Sequence, residues 1–392
     1  MPAIRAEDLP RPRHSREVLR RLRTAPVVAL LGARQVGKTS LARALTARSA
    51  ASSAFDLEDP ADLTQLADAG LTLRALRGLV VLDEIQRRPE LFPVLRVLAD
   101  RPRKPARFLV LGSASPGLLR QASESLAGRI AFHELDGFDL EEVGPDAWRR
   151  LWLRGGFPRS FLARGDADSL AWRHDFVATF LERDLPQLGI STPAATLRRF
   201  WSMLAHWHGQ VWNASEFART FGVSVPTVGR YLDQLEGTFV VRRLQPWHEN
   251  LSKRQVKAPK VYVADSGLLH ALLGLPGARD VLAHPKGGAS FEGFAIEQVA
   301  RRLGARRDEC FFWATHAGAE LDLVVVRGRT RLGFEIKLTE APVLTPSMRV
   351  ALADLKLQRL DVIHAGERTF ALGPKARAVS LSRLLDDVRP LR

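Results

Sequence analysis

Cysteine is almost absent from this chain of 392 residues. Cys310 stands alone, which excludes an internal disulfide and any thiolate-rich zinc site. It sits in an apolar strand pattern, where a structural thiol is expected. No stretch approaches the roughly 18 to 20 uninterrupted apolar residues needed to cross a bilayer. The N-terminus also lacks the apolar core of a secretion signal, so the expectation is a cytoplasmic protein without a membrane partner. Negative charge is short as well: 43 Asp and Glu face 58 Lys and Arg, a net charge of +15 spread along the chain. Such a field favours a polyanion, and with no spanning segment nucleic acid is preferred over a membrane surface. The 46% hydrophobic share supplies ample core. The length exceeds what one core normally serves, so two or three domains are expected.

Against these absences stands one complete motif. Gly32-Ala33-Arg34-Gln35-Val36-Gly37-Lys38-Thr39 is a G-x-x-x-x-G-K-T phosphate loop, followed by Ser40 and preceded by the apolar run Val27 to Leu31. A strand delivers such a loop, its glycines let backbone N–H groups close around phosphates, and the next helix adds its positive end. Lys38 is placed to reach the β- and γ-phosphates of ATP and Thr39 to hold Mg²⁺. About forty-five residues later, Leu79-Val80-Val81-Leu82-Asp83-Glu84 reads as a buried strand ending in two acids. Asp83 suits the Mg²⁺ shell, and Glu84 suits polarisation of the attacking water.

Taken in order, residues 1–23 form a basic arm with a short helix, Val18, Leu19 and Leu22 lying at helical spacing behind a cap at Ser15. From 24 to 137 strand runs alternate with helical patterns, the signature of a doubly wound α/β parallel sheet. The runs are Val27 to Leu31, Ala54 to Leu57, Leu79 to Leu82, Phe108 to Leu111 and Ile130 to Leu135. Ser113, at the carboxyl end of the fourth run, is a candidate γ-phosphate sensor. Arg129 is either an arginine finger for a neighbouring subunit's nucleotide or a surface ion-pair partner. Residues 138–192 read as a helical lid, from which Arg159 and Arg183 are candidates to approach a nucleotide. Residues 193–250 carry two short helices joined by Phe221-Gly222-Val223-Ser224 and then a strand, the pattern of a helix-turn-helix with a wing. Val228, Leu232 and Leu235 make the buried stripe of the second helix, leaving Thr227 and Arg230 as candidate DNA contacts. The basic connection 251–285, with Lys253, Arg254, Lys257 and Lys260, is a candidate phosphate-contact strip.

Residues 286–392 contain a second constellation. A helix from Phe291 to Leu303 precedes strand patterns at 310–314, 320–326 and 331–338, then a helix near 347–355 and a strand at 360–364. A two-residue turn at Gly328-Arg329 sets Leu323 against Phe334 and Leu321 against Ile336 on an apolar side. On the other side Asp322 faces Glu335, and Glu320 faces Lys337. Like charges opposed at roughly 4.5 to 5.5 Å destabilise a sheet unless they serve a site. Asp322, Glu335 and the helical Glu292 are therefore candidate Mg²⁺ ligands for phosphodiester hydrolysis, with Lys337 as the catalytic cation. The alternative is a solvated surface hairpin.

Gly-Ala-Arg-Gln-Val-Gly-Lys-Thr-Ser at 32–40, Leu-Asp-Glu-Ile-Gln at 82–86, Gly-Ser at 112–113 and Leu-Ala-Gly-Arg at 126–129 resemble a widespread prokaryotic AAA+ ATPase family with a winged helix and a further C-terminal domain. Lys-Val-Tyr-Val-Ala-Asp-Ser-Gly-Leu-Leu at 260–269, Gly-Ala-Glu-Leu-Asp at 318–322 and Phe-Glu-Ile-Lys at 334–337 match its second half. The last part is similar to the PD-(D/E)XK nuclease fold, with Leu321 where that motif often has proline. The resemblance implies Asp322, Glu335, Lys337 and Glu292 as a nuclease set. It also implies homo-oligomeric rings, often hexameric, in which Arg129 completes a neighbour's site. Three functions follow as expectations: an ATP-driven DNA motor on duplex or branched DNA, an ATP-regulated Mg²⁺-dependent nuclease, or a nucleotide-dependent switch acting on protein partners.

Overall fold

Five apolar runs of the N-terminal part pair side by side as a parallel sheet in the order β2-β3-β4-β1-β5, in a computed structural model that describes residues 11–102, 105–113, 124–249 and 255–391. The strands are β1 (Val27–Gly32), β2 (Ser52–Asp56), β3 (Gly78–Asp83), β4 (Ala106–Ser113) and β5 (Ile130–Glu134). Every residue of β1 is buried, whereas β2 and β5, at the two edges, are mostly half-buried or exposed. A parallel strand covered on both faces demands such continuous hydrophobicity. This order sets β4 between β3 and β1, with Gly32 in register with Ser113. The carboxyl ends of the three central strands thus meet at the phosphate loop, as expected of an open α/β sheet. Phe55, Leu82, Phe92, Leu95, Phe108 and Val110 share one core with the inward side of β1.

The basic N-terminal helix, α1 (Pro12–Thr24), buries Val18 and Leu22 and leaves Leu19 exposed. The expected cap at Ser15 is incorrect, because the helix begins three residues earlier with Pro12 in its first turn. Proline is favoured there, its φ being already helical and its missing N–H not needed. Ser15 is instead a buried residue inside the helix.

The chain forms two units. The first takes in the described residues up to Gly137 with Asp184–Ser191 and Gly237–Phe239; the second contains Phe138–Arg183, Thr192–Glu236 and Val240 onward. Most of the stretch read as a lid therefore packs with the C-terminal part of the chain. Aromatic packing explains this: Trp148 and Trp152 meet Phe291 at centroid distances of 5.9 and 5.5 Å, and Phe180 meets Trp201 at 5.6 Å. Asp265 adds polar fastening, accepting the Gly156 N–H at 2.7 Å and the Leu268 N–H at 2.9 Å.

The remaining strands are β6 (Gln210–Val211), β7 (Val241–Pro246), β8 (Lys260–Val263), β9 (Cys310–Ala314), β10 (Glu320–Arg327), β11 (Thr330–Lys337), β12 (Arg359–His364), β13 (Phe370–Gly373) and β14 (Ala376–Ser380). They form one nine-stranded sheet in the order β13-β14-β12-β11-β10-β9-β7-β8-β6. The strand β7, expected as the strand of a wing, pairs antiparallel with β8 and parallel with β9, so this sheet runs across residues 250 and 285, where sequence patterning changes. The helices Ala214–Phe221 and Val225–Gly237 are joined through Gly222 in the left-handed region, and the second buries Val228, Tyr231, Leu232 and Leu235. No helix among the described residues is long and apolar enough to cross a membrane.

Candidate functional site

The phosphate loop joins β1 to helix α2 (Lys38–Thr46). Gly37 has φ 101°, a conformation that side chains disfavour. A Cβ on Gly32 would lie 2.2 Å from the Leu135 carbonyl oxygen. Lys38 opens α2 and is buried, its Nζ donating to the carbonyl oxygens of Gly32 and Ala33, each at 3.0 Å. Burial lowers its pKa to about 8 against the pull of the Glu84 and Asp83 carboxylates. Thr39 Oγ1 donates to Asp83 Oδ2 at 2.7 Å, which joins the start of α2 to the carboxyl end of β3. The hydroxyl and the carboxylate suited to a Mg²⁺ shell thus already face one another. Together with Lys38 and the loop glycines, they fit a nucleoside triphosphate and its metal.

Glu84 follows Asp83 in the left-handed region, with φ 55° and ψ 45°. Such a conformation is costly for a residue with a Cβ and recurs where a side chain is aimed for function. Its N–H donates to Asp83 Oδ1 at 2.9 Å, and the Gln86 amide donates to its carboxylate. Burial raises the Glu84 pKa, with Lys38 opposing. The loop's Gln35 is likewise left-handed at φ 62°, Val36 is buried and Ser40 is exposed. Arg34 turns its guanidinium to Gln187 Oε1 at 2.9 Å, to Asp184 at 3.3 Å and to Glu58 at 3.6 Å.

Ser113, expected as a sensor, has its backbone beside Gly32 in the ladder. Arg129 grips Asp100 through Nε at 2.6 Å and Nη2 at 3.0 Å, and donates from Nη1 to the Ala127 carbonyl at 2.9 Å. Within one chain it is thus the ion-pair partner of the two sequence readings. Arg159 and Arg183 are exposed. Sequence reasoning missed Arg11, which is buried and donates to the carbonyls of Val36, Asp136 and Gly137 at 3.2, 2.8 and 3.3 Å. Nothing marks it within an arginine-rich arm.

The second constellation lies in the other unit. β10 and β11 pair in the register the two-residue turn predicts, from Arg327 with Thr330 to Leu323 with Phe334. The ladder ends there, so Asp322 with Glu335 and Glu320 with Lys337 are not the ladder partners that the turn arithmetic expected. β10 is irregular against β9 between Leu321 and Val324, and Asp322 Oδ2 accepts the Ile336 N–H at 2.8 Å in place of a ladder bond. Asp322 and Glu335 are nonetheless both buried. Burial and the Asp322 charge push Glu335 up to about 7, and the same two causes push Glu292 up to about 7. Lys337 holds Glu335 at 2.7 Å.

Lys260 was expected to face phosphates, and that expectation is overturned. It is 4% exposed, with Nζ 3.2 Å from Glu292 Oε1, 3.7 Å from Asp322 Oδ1 and paired to Glu320. Tyr262, two residues along the same strand face, donates its hydroxyl to Glu292 at 2.6 Å. Burial would lower the Lys260 pKa, but the Glu292, Asp322 and Glu320 carboxylates outweigh it and raise it. The available signal was a lysine and a tyrosine at i and i+2 in an otherwise apolar strand. Of the candidate DNA contacts, Arg230 and Lys257 are exposed, and Thr227 Oγ1 engages Ser224 Oγ at 2.9 Å. Lys253 and Arg254 lie outside the described residues.

Residues 24–144 match the model of an AAA domain. Residues 145–279 and 287–384 match two domains of unknown function, DUF8612 and DUF4143. Uncharacterized protein Rv2008c of Mycobacterium tuberculosis and Uncharacterized protein Mb2031c of Mycobacterium bovis are each 52% identical over 366 residues, covering 93% of this chain and 82% of theirs. The chain belongs to their family. Its first unit contains an AAA-type P-loop nucleotide-binding domain. Among solved structures it is similar to the Walker-type ATPase PABY2304 of Pyrococcus abyssi, at 17% identity and a TM-score of 0.48 over 70% of this chain and 98% of that one. It is also similar to the RuvB Holliday junction branch migration motor of Thermotoga maritima, at 18% identity and a TM-score of 0.31 over 60% and 90%.

Proposed function

We propose that this chain is an ATPase that couples hydrolysis to movement on, or remodelling of, duplex or branched DNA, working as a homo-oligomeric ring, hexameric as the sequence resemblance implies. The observation that carries the hydrolytic part is the Thr39 to Asp83 hydrogen bond at 2.7 Å, with Lys38 and Glu84 beside it. In this reading Lys38 leaves the Gly32 and Ala33 carbonyls to hold phosphate oxygens. Thr39 and Asp83 hold the Mg²⁺ shell, and Glu84 orients the attacking water and accepts its proton. Held by Thr39 and Asp83, Mg²⁺ would supply charge neutralisation for the transferred phosphoryl group. Ser113 senses the terminal phosphate from β4. Arg129 exchanges Asp100 for the nucleotide of the neighbouring subunit.

The DNA part rests on the net charge of +15 and on exposed Arg230 and Lys257. The two helices Ala214–Phe221 and Val225–Gly237, with β7 after them, support a winged-helix reading in which the second helix lies in a groove. A strand-displacement assay on forked and four-way junction substrates, with ATP and a Lys38→Ala control, tests this reading. Unwinding that needs Lys38 supports it. Absence of unwinding on every substrate, together with ATP turnover indifferent to DNA, sinks it and leaves the nucleotide-dependent switch acting on protein partners. The nuclease reading draws on Asp322, Glu335, Glu292 and Lys337, but the cation already among those acids argues against it.

A further inference from the structure

The carboxylates that a nuclease would use for Mg²⁺ are engaged by the chain's own donors. Glu292 Oε1 receives the Tyr262 hydroxyl at 2.6 Å and Lys260 Nζ at 3.2 Å. Asp322 presents Oδ2 to the Ile336 N–H at 2.8 Å and Oδ1 to Lys260 at 3.7 Å. Glu335 pairs with Lys337 at 2.7 Å, and its Oε2 has no hydrogen-bond partner among the described residues. A divalent ion of this kind needs several oxygens converging at about 2.0 to 2.6 Å. Here the direction shared by Glu292 and Asp322 is taken by an ammonium, which has three donors and no acceptor. Nζ cannot act as a ligand, and its charge repels a second cation. The residues as arranged do not fit a divalent metal.

We infer that Lys260 is the resident cation of this cluster, fastening β8 to the helix Gly287–Leu303 and to β10, and that with Lys260 in place the cluster takes no divalent metal. The fastening spans three elements far apart in sequence. Lys260 and Tyr262 come from β8, Glu292 from the helix, and Glu320 and Asp322 from β10. Lys260 also lies 5.6 Å from the centroid of the Phe312 ring on β9, so its aliphatic stem and charge are both packed. Removing the ammonium would leave Glu292 and Asp322 with Lys337, already paired to Glu335, as a nearby positive charge, and a divalent ion is the natural replacement. The inference concerns the second unit and does not depend on ATP hydrolysis.

The test is direct Mn²⁺ binding to the full chain without nucleotide, followed by electron paramagnetic resonance. The wild-type and Asp322→Asn chains should bind equal numbers of Mn²⁺ ions. Lys260→Met should gain one Mn²⁺ per chain, which Lys260→Met combined with Asp322→Asn should lose. A wild-type Mn²⁺ ion that disappears in Asp322→Asn would overturn the inference. A folded Lys260→Met chain that gains none would overturn it too, since something else would then exclude the metal. Should Lys260→Met fail to fold, the thermal midpoint of the wild type decides. Indifference to millimolar Mn²⁺ supports a lysine-filled cluster, and an Asp322-dependent rise contradicts it.

Discussion

Lys38 carries the most exposed chemical consequence of the nucleotide site. Burial holds its pKa at about 8, so below that pH it is already an ammonium. Bound phosphates favour the charged form, which means that above pH 8 binding must be accompanied by proton uptake. Nucleotide affinity should therefore be flat below about pH 8 and fall by up to tenfold per pH unit above it, until the bound form also titrates. Anisotropy of a fluorescent ATP analogue measures this, and Lys38→Ala should bind weakly with no such slope. Glu84 makes a different prediction because its proposed partner is the attacking water rather than a phosphate. Glu84→Gln should keep nucleotide binding while turnover falls by roughly 10²- to 10⁴-fold, the usual contribution of a general base. Equal loss of binding and turnover would assign Glu84 to the fold instead.

Elements show why part of this was legible and part was not. The loop, β1 and β3 follow from local rules: a glycine pattern with a continuous apolar run before it, and a second run ending in acids. The β10–β11 register follows from a two-residue turn, because the turn fixes which residues oppose. What failed needed partners far along the chain. Nothing near Lys260 announces Glu292 or Asp322, and nothing in the run 138–183 announces that Trp148 and Trp152 pack on Phe291. The Asp265-Ser266-Gly267 stretch, part of a motif carrying the resemblance, is explained by packing. A Cβ on Gly267 would lie 2.1 Å from the Arg154 carbonyl oxygen, while Asp265 takes two backbone N–H groups. Asp265→Ala should cost about 1–3 kcal/mol for each N–H left without a partner. A lowered thermal midpoint with unchanged nucleotide affinity is the expected result.

At the scale of the whole molecule the question is whether one chain's site is complete. Arg129 bonded to Asp100 leaves both readings distinguishable by paired substitutions. If Arg129 serves a neighbour, Arg129→Ala should lose roughly 10³-fold or more in turnover while still binding nucleotide. Asp100→Ala, which leaves the arginine its bond to the Ala127 carbonyl but no carboxylate partner there, should keep turnover. Mixing Arg129→Ala with Lys38→Ala chains should then restore part of the rate. If the pair is only a surface ion pair, both substitutions should leave stability nearly unchanged and neither should change turnover. The net charge of +15 makes a separate claim about DNA. Binding that neutralises about six phosphates should weaken by roughly 10³ between 50 and 200 mM salt. The central claim is tested most directly by steady-state ATP hydrolysis of the purified chain, with and without junction DNA, beside Lys38→Ala. The account predicts turnover that rises with DNA and vanishes in the variant; a rate of zero, or one that DNA leaves unchanged, would contradict it.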